Sequence, residues 1–191
     1  MDKHVTNICI SAYTELGRIS SVRHLLTVNV TKTLLSTFVL SKLDYCNSLL
    51  CGSPKFILDK LQRVQNSAAR LVKKFRKCDY VQPLLLNLHW LPVRSRSDYK
   101  VSTLCFNTFT KSSAVYIAQL LSVYTPSRHL RSSSDTCTLR IPFVKTKSFG
   151  QRAFFLTGPA QWNLLPYGFR HSKSYPALKT ALKTHLFRST Y

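Results

Sequence analysis

Acidic side chains are scarce in this chain: seven Asp and Glu in 191 residues, against 28 Lys and Arg. They stand apart at Asp2, Glu15, Asp44, Asp59, Asp79, Asp98 and Asp135, with no two adjacent. A two-metal phosphoryl-transfer centre needs carboxylates that converge on the ions, and this distribution argues against one. Glycine is rarer still, at five residues. Its isolated positions leave no glycine-rich phosphate loop and no Gly-x-Ser-x-Gly nucleophile elbow. The six cysteines include no Cys-x-x-Cys pair, and His89, His171 and His185 have no partner cysteine at zinc-site spacing. Neither a metal nor another cofactor is expected. No apolar run reaches the roughly 18 residues of a membrane span, and no signal-peptide layout is visible. A membrane partner is therefore not expected. The thiols at 9, 46, 51, 78, 105 and 137 are expected to be buried and unpaired in a reducing compartment, nucleus or cytoplasm.

What is abundant is positive charge. The formal excess is +21, and acidic residues are not interspersed to balance it. A solvated surface without a polyanionic partner normally mixes both signs. An excess of this size predicts attraction to a phosphate backbone, RNA or DNA. The hydrophobic fraction of 45% supports a folded chain rather than a disordered polycation.

Apolar spacing of three and four residues predicts helices over the first two thirds of the chain. The first covers 4–25, with Val5, Ile8, Cys9, Ala12, Leu16 and Ile19 on one face. A second covers about 31–50, with Leu34, Leu35, Phe38, Val39, Leu43, Cys46, Leu49 and Leu50 inward. Gly52 and Pro54 then punctuate the chain. The third, about 55–75, carries an apolar stripe of Leu58, Leu61, Val64, Ala68, Leu71, Val72 and Phe75. Its Lys and Arg residues are weighted toward the C-terminal end, where the helix dipole favours cations, and Asp59 is placed in its first turn. Shorter helices are expected at about 80–87, 94–110 and 114–122. After residue 123 the periodicity shortens, and short strands or extended segments are expected around 138–156, followed by helices at 158–165 and 175–188. The fold class expected is mainly α: a helical domain over 1–122, then a small mixed α/β region over 123–191. Trp90 and Trp162 are read as core anchors before base-stacking groups.

Three blocks occur in order: Leu-Asp-Tyr-Cys-Asn-Ser-Leu-Leu at 43–50, Leu-Gln-Arg-Val-Gln-Asn-Ser-Ala-Ala-Arg-Leu-Val at 61–72, and Leu-His-Trp-Leu-Pro-Val at 88–93. Further blocks follow at 124–128 (Tyr-Thr-Pro-Ser-Arg), 149–154 (Phe-Gly-Gln-Arg-Ala-Phe), 162–166 (Trp-Asn-Leu-Leu-Pro) and 182–187 (Leu-Lys-Thr-His-Leu-Phe). Over nearly its whole length the chain resembles the C-terminal part of the polyprotein of LINE-type non-LTR retrotransposons of the jockey-like group, downstream of the reverse-transcriptase palm. In similar polyproteins the methionine corresponding to Met1 is internal, so Met1 is expected to mark a truncated reading frame. Two places depart from the family. Gln151 stands where relatives usually carry an acidic residue, and Lys-Ser-Ser-Ala-Val at 111–115 replaces a Gly- and Pro-containing segment. Such drift fits a decayed copy.

The resemblance implies that the first helices correspond to the polymerase thumb, which grips a template–primer duplex through its phosphates. The candidate phosphate-binding residues are Arg63, Arg70, Lys73, Lys74, Arg76 and Lys77. A second basic stretch comprises Arg128, Arg131, Arg140, Lys145, Lys147 and Arg152, interleaved with Phe143, Phe149 and Phe154, most of which are expected to pack in the core. No catalytic residue is expected, because the Asp-Asp pair of the reverse-transcriptase motif is missing. The function expected is a non-catalytic fragment of an RNA-directed DNA polymerase that binds nucleic-acid backbone, with the missing palm domain as a second partner. The rival is an inert translated relic. A sequence-specific DNA-binding regulator is a third class, disfavoured by the lack of a helix-turn-helix or zinc-finger pattern. Neutralising Arg70, Lys73, Lys74 and Lys77 together is expected to weaken binding while leaving folding nearly untouched.

Overall fold

Where apolar residues recur every three or four positions, the chain is helical. The structure is a computed structural model describing residues 1–76, 78–110, 113–126, 137–145 and 152–191. Its helices are α1 (Asp2–Val22), α2 (Val28–Leu35), α3 (Ser41–Asp44), α4 (Lys55–Lys73), α5 (Gln82–Asn87), α6 (Val93–Phe109), α7 (Val115–Ala118), α8 (Phe154–Asn163), α9 (Tyr167–Arg170) and α10 (Tyr175–Thr190). The fold is mainly α. None of the helices among the described residues is long and apolar enough to cross a membrane.

The chain divides into two compact units. Unit 1 comprises 1–47, 53–96 and 190–191; unit 2 comprises 48–52 and 97–189. The division falls within α6 rather than at the change of composition near residue 123.

Unit 1 is built on α1 and α4, which pack along each other. Val5, Ala12, Leu16 and Ile19 of α1 are buried, as are Ile57, Leu61, Val64, Ala68, Ala69 and Val72 of α4. Full burial of one Leu or Val side chain contributes about 1.5–3 kcal/mol, so this apolar seam dominates the unit's stability. The helix expected over 31–50 is interrupted. Between α2 and α3 the backbone takes a π turn over Ser36–Leu40. Thr31, Thr33 and Thr37 each donate a side-chain hydrogen bond to the carbonyl four residues earlier, as does Ser41 to Thr37. Such back-bonding competes with the regular helical ladder. Cys46 then adopts a left-handed conformation (φ 54°). The change of phase leaves Phe38, Cys46 and Leu49 exposed, contrary to expectation, and buries Leu40 instead.

α4 starts at Lys55, so Asp59 lies beyond its first turn and dipole stabilisation does not account for it. The helix ends at Lys74, which turns left-handed (φ 56°) while the Phe75 N–H donates back to the Arg70 carbonyl at 3.0 Å. This is a Schellman-like return made without glycine. Phe75 emerges half exposed rather than continuing the apolar stripe.

Unit 2 has its own core. Cys51, Val101, Cys105, Phe106, Leu139, Trp162, Leu165, Leu178 and Leu182 pack together. The strands expected around 138–156 do not appear among the described residues, and 146–151 lie outside them. Among the described residues one antiparallel bridge joins Val123 and Leu139, with Tyr124 N–H donating to Thr138 O and Arg140 N–H to Ser122 O, both at 2.8 Å. The Asn163 side chain takes the remaining pairing positions of Leu139. It accepts from Leu139 N–H at 3.0 Å and donates to Leu139 O at 2.8 Å. A side-chain amide thus satisfies the backbone groups that a neighbouring strand would have used.

Candidate nucleic-acid interface

Helical geometry separates apolar from basic side chains on α4. With 100° per residue, Arg63, Arg70 and Lys73 project from the side opposite the buried Ile57, Leu61, Val64, Ala68 and Val72, while Lys60 flanks the buried stripe and Lys74 follows at the left-handed C-cap. Arg63, Lys73, Lys74 and Arg76 are exposed. They form a row of cations along one helix and its C-terminal exit, within unit 1. Lys60 extends the row, although it is paired with Asp2 at 2.8 Å.

Arg70 differs from the others. It is half buried, its Nη2 donates to the Asp79 carbonyl at 3.0 Å, and its Nε has no hydrogen-bond partner among the described residues. The Asp79 carboxylate in turn accepts from Arg76 N–H at 2.6 Å. Arg70 therefore closes the turn after α4. Its replacement would disturb the fold as well as the surface charge, which corrects the expectation that neutralising it is structurally harmless.

Of the second basic stretch, Arg140 and Lys145 are exposed and Arg152 is half buried in unit 2. Lys77, Arg128, Arg131 and Lys147 lie outside the described residues, as does Phe149. Phe143 is 89% exposed, against the expectation of core packing, whereas Phe154 packs on the unit 2 core.

The distinctive sequence blocks have structural roles. In 61–72, Gln65 is fully buried and donates to the Leu91 carbonyl at 2.8 Å; Gln62 accepts from Val93 N–H at 2.9 Å. The two glutamines fasten the Trp90–Val93 segment to α4. Just before that segment His89 is left-handed (φ 55°), and Trp90 N–H returns to the Leu85 carbonyl at 2.9 Å, stopping α5. Trp90 is buried, and its carbonyl accepts from the Tyr191 hydroxyl at 2.9 Å. Asp44 pairs with Arg96 at 2.8 Å. Burial lowers the Arg96 pKa, and the Asp44 carboxylate partly restores it. Trp162 is fully buried and donates its indole N–H to Cys137 O at 2.7 Å. Both tryptophans are core anchors, as the sequence suggests.

Other acidic groups among the described residues are also engaged. Glu15 pairs with Arg18 and Lys42, each at 3.3 Å, and Asp98 accepts from Cys51 Sγ at 3.7 Å. Among the described residues no three His, Cys, Asp or Glu side chains converge as metal ligands.

None of the cysteines forms a disulfide. Only Cys51 and Cys105 are buried; Cys9 and Cys137 are intermediate, while Cys46 and Cys78 are exposed. Burial pushes the Cys105 thiol up to about 12, with Cys51 adding to the rise. Alkylation proceeds through the thiolate. In the native protein at mildly alkaline pH, Cys46 and Cys78 are expected to be modified by iodoacetamide first and Cys105 only on unfolding. Peptide mass mapping against time checks this order, and early labelling of Cys105 would contradict the burial.

Residues that periodicity alone did not single out include Arg23, a buried cation on the carbonyls at the end of α4, and Tyr13, beside the basic row. A basic residue amid apolar helix positions was the available signal for Arg23; Tyr13 had none. The chain matches no family model, no curated protein and no solved structure.

Proposed function

We propose that this chain is the thumb and downstream region of a LINE-type reverse transcriptase, without polymerase activity of its own, and that its remaining capacity is to hold nucleic-acid backbone. The observation that carries this reading is the exposed row Arg63, Lys73, Lys74 and Arg76 on and just beyond α4, in a chain with a formal charge of +21. Cations fixed along one helix can meet successive phosphates and release their condensed counterions on binding. Among the described residues the carboxylates are scattered, and no cluster of three His, Cys, Asp or Glu converges as two-metal chemistry would require. The missing palm domain of the parent polymerase is a second partner in this reading, and the downstream residues Arg140, Lys145 and Arg152 supply further charge.

The test is the salt dependence of binding to an RNA–DNA hybrid. A variant with Arg63, Lys73 and Arg76 changed to Gln and Lys74 to Asn spares Arg70, and Asn tolerates the left-handed backbone at 74. Its log–log salt slope is expected to flatten by roughly 0.9 for each phosphate that is no longer neutralised. A control variant neutralises the exposed Lys173, Lys179, Lys183 and Arg188 of unit 2, none of them in the basic row or the downstream basic stretch. Equal flattening in both variants would leave only diffuse polycation binding, the behaviour of an inert relic. Primer extension by the purified chain with magnesium would overturn the non-catalytic assignment.

A further inference from the structure

Beside the basic row, unit 1 has an open groove of about 620 Å³, within the roughly 300–1,000 Å³ typical of small-ligand sites. One wall comes from α1 and carries Cys9, Ile10 and Tyr13; the other comes from α4 and carries Lys60 and Arg63. The α1 wall is largely apolar, with Thr6 and Thr14 at its polar positions, yet uncovered: Ile10 is 61% and Tyr13 46% exposed. Cys9 adds a half-buried thiol to it. Lys60 is held by Asp2, whereas the Arg63 side chain is exposed and has no hydrogen-bond or ion-pair partner among the described residues. An aromatic ring and an available guanidinium therefore face one groove. A duplex presents phosphates outward and keeps its bases stacked inside, so it has no use for the aromatic wall. An unpaired nucleotide offers a flat apolar base and a phosphate together.

We propose that this groove is a subsite for single-stranded nucleic acid, in which a nucleobase stacks on Tyr13 against Ile10 and its phosphate meets Arg63. The proposal rests on the backbone-binding reading and adds what that reading lacks: a preference for an unpaired strand at this place. Base–aromatic stacking contributes about 1–3 kcal/mol per base, corresponding to about 5- to 150-fold in affinity. Of the two hydroxyls lining the groove, Thr14 donates to the Ile10 carbonyl of its own helix, which leaves few polar groups for base edges, so little sequence preference is expected.

The experiment compares the full chain with its Tyr13→Ala, Tyr13→Phe and Arg63→Gln variants. Binding is measured to a single strand of about twelve nucleotides, within the usual single-strand site sizes, and to the duplex of the same length. Tyr13→Ala is expected to weaken single-strand binding about 5- to 150-fold with an unchanged salt slope. Tyr13→Phe keeps the ring and is expected to bind like the wild type. Arg63→Gln is expected to flatten the single-strand slope by about 0.7. Duplex affinity is expected to be insensitive to Tyr13. Equal weakening for single strand and duplex, no weakening in Tyr13→Ala, or weakening in Tyr13→Phe as large as in Tyr13→Ala would overturn the subsite while leaving backbone binding intact. Displacement of the single strand by poly-glutamate at matched charge would assign the groove to acidic peptide instead. A wild-type chain that binds neither nucleic acid would overturn both readings.

Discussion

The Arg23→Met variant is expected to be less stable by about 3–5 kcal/mol, the largest effect of any single basic residue in unit 1. Arg23 is only 6% exposed. Its Nε donates to Leu71 O at 2.9 Å, Nη2 to Val72 O at 2.7 Å and Nη1 to Leu26 O at 2.7 Å. Leu71 and Val72 lie in the last turn of α4, whose carbonyls find no N–H donor further along the helix. The guanidinium supplies those donors and places positive charge at the negative end of the helix dipole. Met preserves much of the side-chain length and apolar packing but strands three carbonyls. An unsatisfied buried acceptor costs about 1–3 kcal/mol, the full amount applying at the buried Val72 bond and less at the part-buried Leu71 and Leu26 bonds, where water can enter. Lys is expected to rescue only partly, because one compact ammonium cannot reproduce the planar fork. Urea unfolding followed by hydrogen exchange is the check: the midpoint should fall and protection should disappear first over 55–73. A destabilisation below about 1 kcal/mol would mean that the three hydrogen bonds are replaceable by solvent.

In unit 2 the corresponding expectation concerns Trp162. Trp162→Ala is expected to cost about 3–5 kcal/mol, as large core aromatics do when truncated. The ring is fully buried, with Phe109 at 5.3 Å and Phe106 at 6.4 Å between ring centroids. Its indole N–H also holds the Cys137 carbonyl. Alanine therefore opens a cavity and leaves that acceptor without its donor. Trp162→Phe separates the two effects, since it keeps most of the ring while removing the hydrogen bond, and a cost of about 1–3 kcal/mol is expected. Hydrogen exchange should localise the damage to 154–163 and 137–140. If alanine and phenylalanine were equally destabilising, packing would be a minor part of the Trp162 contribution.

The sequence by itself determined the helical class, because a three-four apolar spacing is a local property that needs no knowledge of distant residues. It located α1, α4, α6 and α10 to within a few residues, since each has a long periodic face and few competing turn signals. It also determined the charge excess and the basic row of α4, because 3.6 residues per turn places those side chains opposite the apolar stripe whatever the helix packs against. Three matters were decided by tertiary structure. Gln65, Arg23 and Asn163 are polar residues whose partners lie 26, 48 or 49, and 24 positions away in the chain, and no local pattern reveals a pairing at that separation. The extended segment around Leu139 looked like a strand because its apolar content suits one; the Asn163 amide took the pairing groups instead. Arg70 and Arg63 share one helical face two turns apart, indistinguishable by periodicity, yet one is bound to the turn after α4 and the other stands exposed at the groove. A hydrogen bond formed in the folded chain makes that difference, because it commits a charged side chain to the fold and removes it from the binding surface.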